Sequence, residues 1–160
     1  MNIRQANDKD VEGILKLQLE VAEFHKNLDS IYEFQDDIAE QFRINTATLI
    51  NNEKACVFIA LDKEEIVGFG IAAIIKENPL FKYPRYAMIE ELGITENFRS
   101  KGCGQILLDA IFKWLRQQAV EDVRLKVHSK NKGGIKFWEK MGFETEMYNM
   151  KIVLNNKNNS

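Results

Sequence analysis

The stretch from Ile89 to Ile111, which reads IEELGITENFRSKGCGQILLDAI, decides the fold. It begins inside an apolar run, Tyr86 to Ile94, that predicts a β-strand, and from Gly102 onward the apolar spacing becomes helical. The loop between them carries the sequence RSKGCG, Arg99 to Gly104. A helix N-terminus presents unpaired N–H groups and the positive end of the helix dipole, and glycines let the backbone approach an anion. This junction therefore suits a diphosphate.

The basic residues of the loop strengthen this interpretation. Arg99 and Lys101 add positive charge and hydrogen-bond donors that a neutral loop would lack. Two commoner phosphate loops are absent, since G-x-x-x-x-G-K-[S/T] does not occur and no G-x-G-x-x-G follows the first strand. Nucleotide hydrolysis and dinucleotide binding are therefore disfavoured. For an isolated G-x-G, a glycine-rich helix start that binds no ligand stays open as the alternative.

The rest of the chain alternates strands and helices without a repeat or linker. The predicted order is βαα-βββ-α-β-α-β, a single mixed α/β (α+β) domain over residues 1–154 with a frayed tail over 155–160. Both prolines, Pro79 and Pro84, lie in one predicted loop. The predicted strands are Asn2–Gln5, Ala55–Leu61, Ile66–Ile75, Tyr86–Ile94, Val123–Val127 and one or two over Phe143–Leu154. The predicted helices are one after an Asp8 N-cap, then Ile31–Leu49, one from Gly102, and Lys132–Met141.

Length and composition describe an ordinary globular protein of 160 residues, 45% apolar and 29% charged. The longest apolar stretch, Ile66 to Ile75, is about half of what a membrane span needs. The N-terminus lacks a secretory or transit signal, so we expect a cytoplasmic protein. With two cysteines, Cys56 and Cys103, and two histidines, no metal-ligand spacing occurs, and both thiols are expected to be free.

The net charge of −2 conceals a division along the chain. Residues 99–140 hold ten Lys/Arg against four Asp/Glu, and the remainder is acidic. The two parts can therefore face partners of opposite sign, although charged helix faces are as often only solvated. The small net charge argues against generic nucleic-acid binding.

Two motifs together resemble those of a known family. Arg99, Gly102 and Gly104 match the R/Q-x-x-G-x-G/A acyl-CoA-binding signature of the GNAT superfamily of N-acetyltransferases in register. About thirty residues on, NKGGIKFWEKMGF resembles the next motif of that family, in which an Asn begins a helix that ends in an aromatic-Glu-Lys-x-Gly-Phe run. The matching positions there are Asn131, Phe137, Glu139, Lys140, Gly142 and Phe143. Order and spacing agree, so the resemblance covers nearly the whole chain.

The resemblance implies a GNAT fold, with a splayed, mostly antiparallel central sheet flanked by helices. Acetyl-CoA would lie between the strands Tyr86–Ile94 and Val123–Val127, with no metal. Gly93 agrees with this, because a glycine inside an apolar strand often marks a bulge or the close approach of another group; a bulge without a ligand is the alternative. Asn131 would orient the pantetheine, or serve only as an N-cap. The implied cofactor-binding residues are Leu92, Gly93, Ile94, Arg99, Ser100, Lys101, Gly102, Cys103, Gly104, Gln105, Asn131, Phe137 and Trp138.

The chemistry requires a base. An alkylamine with a pKa near 10.4 is neutral in only about one molecule in two thousand at pH 7. Glu90 lies on the strand that leads into the loop, and strand alternation puts it on the face of Leu92 and Ile94, with Glu91 opposite. In polyamine acetyltransferases of this family a Glu at the corresponding place is the proposed base, so we assign Glu90, directly or through water, with Glu91 as the alternative. Paired carboxylates that only end a strand at the surface or bind a lysine are the competing interpretation.

The sequence departs from the family at the general acid. Where many members have a Tyr, this chain has Trp138, whose indole N–H is not a useful proton source. A thiol pKa near 8.5 makes the thiolate a tolerable leaving group without full protonation. Tyr148 could substitute, but the sequence does not place it. Trp138 is therefore interpreted as a core or cofactor-packing aromatic.

The acceptor is expected to be cationic, because the two predicted N-terminal helices are rich in acids that lie on the acceptor side in this family. A polyamine, an amino sugar, or a lysine or N-terminal amine of a peptide would fit, with direct attack in a ternary complex. His25 is a candidate second proton carrier or a solvated helix-end residue. A non-catalytic acyl-CoA-binding module and a protein acetyltransferase stay open as alternatives, as does a homodimer.

Overall fold

The structure is a computed structural model that describes residues 1–76, 80, 85–152 and 154. It divides into two compact units, Met1–His128 and Ser129–Ser160. The single domain over 1–154 stays a prediction. The loop with Pro79 and Pro84 and the predicted tail 155–160 lie outside the described residues.

A five-stranded sheet forms the centre of the first unit. Its strands lie in the order β1-β2-β3-β4-β5. The first four pair antiparallel, and β4 and β5 pair parallel. The prediction of a mixed α+β fold with a mostly antiparallel sheet flanked by helices is confirmed. The strands are β1 (Asn2–Gln5), β2 (Ala55–Asp62), β3 (Glu65–Lys76), β4 (Arg85–Ile94) and β5 (Val123–Leu125).

Helices cover both faces of this sheet. The helices are α1 (Val11–Leu28), α2 (Ile38–Ile50) and α3 (Cys103–Gln117), with α4 (Lys132–Lys140) in the second unit. On one face, Ile14 and Leu17 of α1 pack in a buried cluster with Phe69 and Ile71. On the other, Cys103 and Leu107 of α3 pack with Ala60 and Val67. The central strands thus bury apolar side chains on both faces of the sheet. This explains why the sequences of these strands are nearly continuously apolar.

The chain enters α1 through a capped turn. Residues Asp8–Asp10 form a short 3-10 turn in which the Asn7 side chain accepts from the backbone N–H of Lys9, 3.1 Å away, and the Asp10 carboxylate accepts from the N–H of Asn7 at 2.8 Å. Arg4 of β1 donates two hydrogen bonds to the same carboxylate, at 2.7 and 2.9 Å. Asn7 therefore caps this turn, and the N-cap residue of α1 is Asp10 rather than the expected Asp8. Asp10, which is 8% exposed, joins β1 to the start of α1.

Asp10→Ala should lower the free energy of unfolding by about 2 kcal/mol at pH 7, because it removes the carboxylate that accepts from the Asn7 N–H in the capping box and the charge-assisted pair with Arg4. The Arg4 guanidinium, helped by the Asn7 N–H, holds the pKa of Asp10 below its usual value. A carboxylate with a lowered pKa stabilises the fold above its ordinary pKa, and that contribution is lost as pH falls through the folded-state value. Urea unfolding should thus show a difference in the free energy of unfolding between the wild type and Asp10→Ala that is smaller at pH 3 than at pH 7. Asp109→Ala, an exposed carboxylate on α3, is the control; an equal effect of both substitutions would contradict the assignment.

Several predicted boundaries differ from the structure, most of them by one residue. The second helix begins at Ile38 rather than Ile31, because residues 30–32 form a separate 3-10 turn capped by Asp29, whose carboxylate accepts from the Ile31 N–H at 3.1 Å. β5 ends at Leu125 rather than Val127, and α4 ends one residue before Met141. Local capping chemistry, which apolar periodicity does not detect, sets the first of these limits.

The predicted closing strands over Phe143–Leu154 are wrong for the residues that the structure describes there, 143–152 and 154, which form no strand. Apolar side chains of this segment are exposed; Met147, Met150 and Leu154 are 82–90% accessible. Strand-forming residues reflect a fit to a half-buried sheet and fix no strand unless a neighbour supplies the hydrogen-bonded ladder. Within the described residues, the helices are too short or too polar to cross a membrane.

Candidate functional site

The site begins where β4 loses a neighbour. The pairing between β4 and β5 covers Ala87 to Ile89 only, whereas β4 stays paired with β3 as far as Ile94. Among the described strands, residues 90–94 of β4 thus have a ladder partner on one side only. Such an edge offers backbone N–H and C=O groups to another extended molecule.

A β-bulge lies in the same part of β4. Glu91 is paired with Ile71, but the next β3 residue, Ala72, is paired with Ile89, so Glu90 is the extra residue. A bulge interrupts the alternation of side chains along a strand. The prediction that Glu90 shares a face with Leu92 and Ile94 depends on unbroken alternation, so the bulge removes its basis. In the structure Glu90 is exposed and Glu91 is partly buried.

Glu91 lies against a buried polar pair on the two N-terminal helices. The Nε2 of Gln18 on α1 donates to the Oε2 of Glu91 at 2.8 Å, and Thr46 Oγ1 on α2 lies 3.1 Å from the Gln18 Oε1. Gln18 and Thr46 are 1% and 0% exposed. Burial raises the pKa of Glu91 to about 7, the Gln18 hydrogen bond opposes this rise, and the charge of Glu90 adds to it. A carboxyl with this pKa changes protonation near neutral pH, which suits a general base.

Gly93 does meet a close neighbour, and that neighbour is a core side chain. A Cβ built at Gly93 would lie 2.3 Å from Cε1 of Phe69, its partner on β3 and a fully buried residue. A glycine is therefore required here by packing. The role of its backbone towards a cofactor stays a prediction.

Gly93→Ala should lower the free energy of unfolding by about 1–3 kcal/mol, since the ring of Phe69 must shift inside a packed core. The matched control is Gly133→Ala in α4, where a Cβ meets nothing within 4 Å. That change should be neutral or slightly stabilising. Chemical unfolding of both variants measures the difference; a Gly93→Ala protein as stable as the wild type would show that the core yields at no cost.

The loop before α3 turns through two left-handed residues. Ser100 has φ 60° and Gly102 has φ 82°, and the helix begins at the next residue, Cys103. Gly102 is exposed, a Cβ there would meet nothing within 4 Å, and it supplies no side-chain cap to the helix. The start of α3 thus has no side-chain cap at its N-cap residue, and the first N–H groups of a helix are the ones that anion sites use.

The basic side chains of the loop lie at the surface. Arg99 Nε donates to the backbone oxygen of Ile94 at 3.2 Å, which ties the loop to the end of β4. Lys101 Nζ lies 5.2 Å from the centre of the Phe98 ring. Arg99, Ser100, Lys101 and Gln105 are exposed. The end of β4 that has a ladder partner on one side only thus leads into an exposed, basic helix start.

Both cysteines are buried. Cys103 is 1% exposed at the first position of α3, and burial raises the pKa of its thiol. Cys56 on β2 is 2% exposed, and burial raises its pKa to about 12. Both cysteines are free, as predicted, and a thiol with a raised pKa forms little of the reactive thiolate.

An aromatic and histidine cluster surrounds the end of α1. The rings of His25 and Tyr32 lie 5.1 Å apart, and the ring of Tyr32 lies 5.7 Å from that of His128, which follows β5. His128 Nε2 is 3.3 Å from the Asp29 carboxylate. Burial lowers the pKa of His25, with a smaller contribution from His128. His25 is therefore half-buried in a cluster rather than a solvated helix-end residue.

The acids on the first two helices and the turn between them lie at the surface. The exposed residues are Glu20, Glu23, Glu33, Asp36, Asp37 and Glu40. Glu40 pairs with Arg43, which also binds Glu12 at 2.6 Å. The negative charge predicted there is thus accessible, and one of its carboxylates is already paired.

The second unit carries the remaining predicted cofactor residues. The Asn131 side chain accepts from the N–H of Gly134 at 2.9 Å and caps α4. Trp138 makes edge contacts with Phe137 and Phe143 at 4.9 and 5.4 Å between ring centres. This agrees with a packing role for Trp138. Tyr148 is 84% exposed. A role of Asn131, Phe137 and Trp138 in cofactor binding stays a prediction.

Comparison with known families identifies the domain. Residues 16–143 match the family model described as "Acetyltransferase (GNAT) family". The chain belongs to the GNAT acetyltransferase family. Its resemblance to GNAT motifs and its predicted GNAT fold are thereby confirmed.

Curated GNAT relatives are distant. The chain is 24% identical over 146 residues to the uncharacterised N-acetyltransferase YhfO of Bacillus subtilis, covering 91% of each. It is 24% identical over 99 residues to mouse N-acetyltransferase 8F1, a match that covers 62% of this chain. The aligned part spans 44% of that longer mouse protein.

Solved GNAT structures share the fold. A tetramutant of the BH1408 protein of Bacillus halodurans superposes with a TM-score of 0.85 at 22% identity, covering 96% of this chain and all of that one. The aminoglycoside 6'-N-acetyltransferase AAC(6')-IG of Acinetobacter haemolyticus gives 0.77 at 14%, covering 97% and 99%. A predicted acetyltransferase of Clostridium acetobutylicum, solved with acetyl-CoA, gives 0.78 at 18%, covering 95% of each.

Sequence reasoning missed the polar neighbours of Glu91. Gln18 occupies an inward position of α1 beside Leu17, and a polar side chain within an apolar stripe was the available signal. Thr46 on α2 gave no such signal, because Thr occurs commonly in both buried and exposed positions. Only tertiary packing brings Thr46 to Gln18.

Proposed function

We propose that this chain is an N-acetyltransferase that moves the acetyl group of acetyl-CoA to a primary amine of a cationic small molecule or peptide, by direct attack in a ternary complex. The observation that carries the proposal is Glu91, a partly buried carboxyl whose pKa is raised to about 7, on the strand that runs into the loop of the GNAT signature. Membership of the GNAT family supports the reaction class.

Acetyl-CoA is proposed to bind along the end of β4 and over the start of α3. Leu92, Gly93 and Ile94 would offer backbone groups on the unpaired edge to the pantetheine arm. The amides of residues 100–105 would hold the diphosphate, with Arg99 and Lys101 adding charge. The acetyl-CoA solved with the Clostridium acetobutylicum neighbour supports this choice of cofactor.

Glu91 rather than Glu90 is the base that we favour. The amine must lose a proton to attack the thioester carbonyl, and the resulting tetrahedral oxyanion would accept from a backbone N–H near Gly93 or Ile94. Collapse then expels CoA as a thiolate, which needs no strong acid. Glu90 is exposed, so its carboxyl lacks the burial that acts on Glu91.

A cationic acceptor is supported by charge and by a neighbour. The first two helices and the turn between them carry exposed acids, among them Glu20, Glu23 and Glu33, that attract a protonated amine compound. AAC(6')-IG is named for acetylation of an aminoglycoside, a polycationic amino sugar.

The test combines acetyl-CoA calorimetry with a CoA-release assay over polyamines, amino sugars and lysine peptides. Release with one small-molecule class and not with the others would support the proposal and name the acceptor. CoA release only with peptides, and only in a particular sequence context, would favour a protein acetyltransferase. Acetyl-CoA binding without turnover on any amine would indicate a non-catalytic binding module.

A further inference from the structure

A hydrogen-bonded chain of three side chains crosses the interior from α2 to β4. It runs from the Thr46 hydroxyl through the Gln18 carboxamide to the Glu91 carboxylate, over 3.1 and 2.8 Å. Its two donor residues are buried in the face that α1 and α2 present to the sheet. Burying two polar side chains costs stability unless each is satisfied, so an apolar pair would be the simpler core.

The direction of this chain follows from donor and acceptor capacity. An ionised carboxylate can only accept, so the Gln18 NH₂ group must face Glu91. The Gln18 oxygen then faces Thr46, and the Thr46 hydroxyl must donate to it. Thr46 therefore fixes which end of the amide meets Glu91.

Within the described ranges, few charged groups compete with this contact. Glu90 is the charged neighbour on β4 itself, and it acts against the ionised form of Glu91. On α1 the charged residues flanking Gln18, Lys16 and Glu20, are exposed, and on α2 Arg43 is held by Glu12 and Glu40. On β3 the register partner of Glu91 is Ile71, which is apolar, and on β5 Arg124 pairs with Asp122. α3 contacts β4 through Leu92 and Ile94.

We propose that Gln18 and Thr46 are positioning residues that orient the Glu91 carboxylate and stabilise its ionised form through one buried amide donor. The inference rests on the proposed function, since it assigns to Glu91 the role of base. The hydrogen bonds of Gln18 link Thr46 to Glu91, so we expect the effect of both residues on catalysis to pass through Glu91.

The test is a pH titration of Glu91 in the wild type, in Gln18→Leu, Thr46→Val and Thr46→Ser, and in one control variant. Gln18→Leu removes the donor, so the Glu91 titration should move upward by roughly one unit, which lowers the ionised fraction at pH 7 about fivefold. Thr46→Val lets the amide turn over and should give a smaller upward shift. Thr46→Ser keeps the hydroxyl and should restore the wild-type midpoint. Thr48→Val, on the exposed side of α2, is the control.

Two readouts separate this inference from the proposed function. The ¹³C shift of the Glu91 carboxyl reports its protonation in the free protein, whether or not an acceptor is known. With an acceptor, the pH profile of kcat should move in parallel while KM for acetyl-CoA stays constant. An unchanged Glu91 midpoint in folded Gln18→Leu would overturn the inference. If that variant does not fold, equal midpoints for Thr46→Val and Thr46→Ser would overturn it instead.

Discussion

Gly102→Glu should weaken acetyl-CoA binding by about 100-fold or more, equivalent to roughly 2.7 kcal/mol of binding free energy. Gly102 has φ 82°, a left-handed conformation that costs a non-glycine residue about 1 kcal/mol or more. The larger effect is electrostatic, because the new carboxylate would stand at an exposed helix N-terminus where the proposed site needs positive potential for a diphosphate. Calorimetric titration with acetyl-CoA measures the change.

Two controls separate strain from charge. Gly102→Ala adds the same backbone cost without a charge and should weaken binding only a few-fold. Gly142→Glu adds a carboxylate at another left-handed glycine, φ 91°, where a Cβ also meets nothing within 4 Å. It should leave acetyl-CoA affinity intact. Wild-type affinity in Gly102→Glu would remove the diphosphate from the loop before α3 and with it the proposed cofactor site.

Glu91→Gln should lower kcat by about 10²- to 10³-fold with acetyl-CoA affinity unchanged, since proton removal by a positioned base contributes on this order. The wild-type kcat should rise with pH to a plateau, with an inflection near the Glu91 pKa of about 7, because the base works only when ionised. That inflection should vanish in Glu91→Gln. Steady-state kinetics between pH 5.5 and 9 on the acceptor found in the panel would reveal it.

Glu90→Gln is the matched comparison, one residue away and exposed. It should keep most of the rate and shift the inflection slightly downward, because it removes a like charge beside Glu91.

The stability of Glu91→Gln gives an independent check. A carboxyl whose pKa is raised on folding opposes the folded state above pH 7, a cost that fades as pH falls towards the ordinary value of 4.5. Glu91→Gln should therefore be more stable than wild type at pH 8; a rate loss confined to Glu90→Gln would reverse the assignment.

The sequence predicted the sheet and helix order well because apolar periodicity is strong there. α3 begins within a residue of its predicted start, and β2, β3 and β4 each match to within one residue at either end. Their side chains pack on both faces of the sheet, so pattern and tertiary structure agree. The last segment failed for the opposite reason: residues 143–152 carry strand-forming side chains but no partner strand among the described residues.

The candidate site was predictable as a loop and less so as a base. Arg99, Gly102 and Gly104 are a local motif, readable from their spacing alone. The choice between Glu90 and Glu91 depended on strict alternation, and a single bulge opposite Ile71 and Ala72 breaks it. Register shifts arise from pairing between strands, so no property of the Glu-Glu pair itself announces them.

Both cysteine sulfurs are out of reach of reagents in solution. Cys56 and Cys103 are 2% and 1% exposed, and burial raises the pKa of each thiol, so few thiolates form at pH 8. A chromogenic disulfide reagent should therefore react with the thiol of released CoA and leave the cysteines of the folded protein unlabelled. Peroxide should instead attack most readily the thioethers of Met147 and Met150, whose side chains are 82% and 90% accessible.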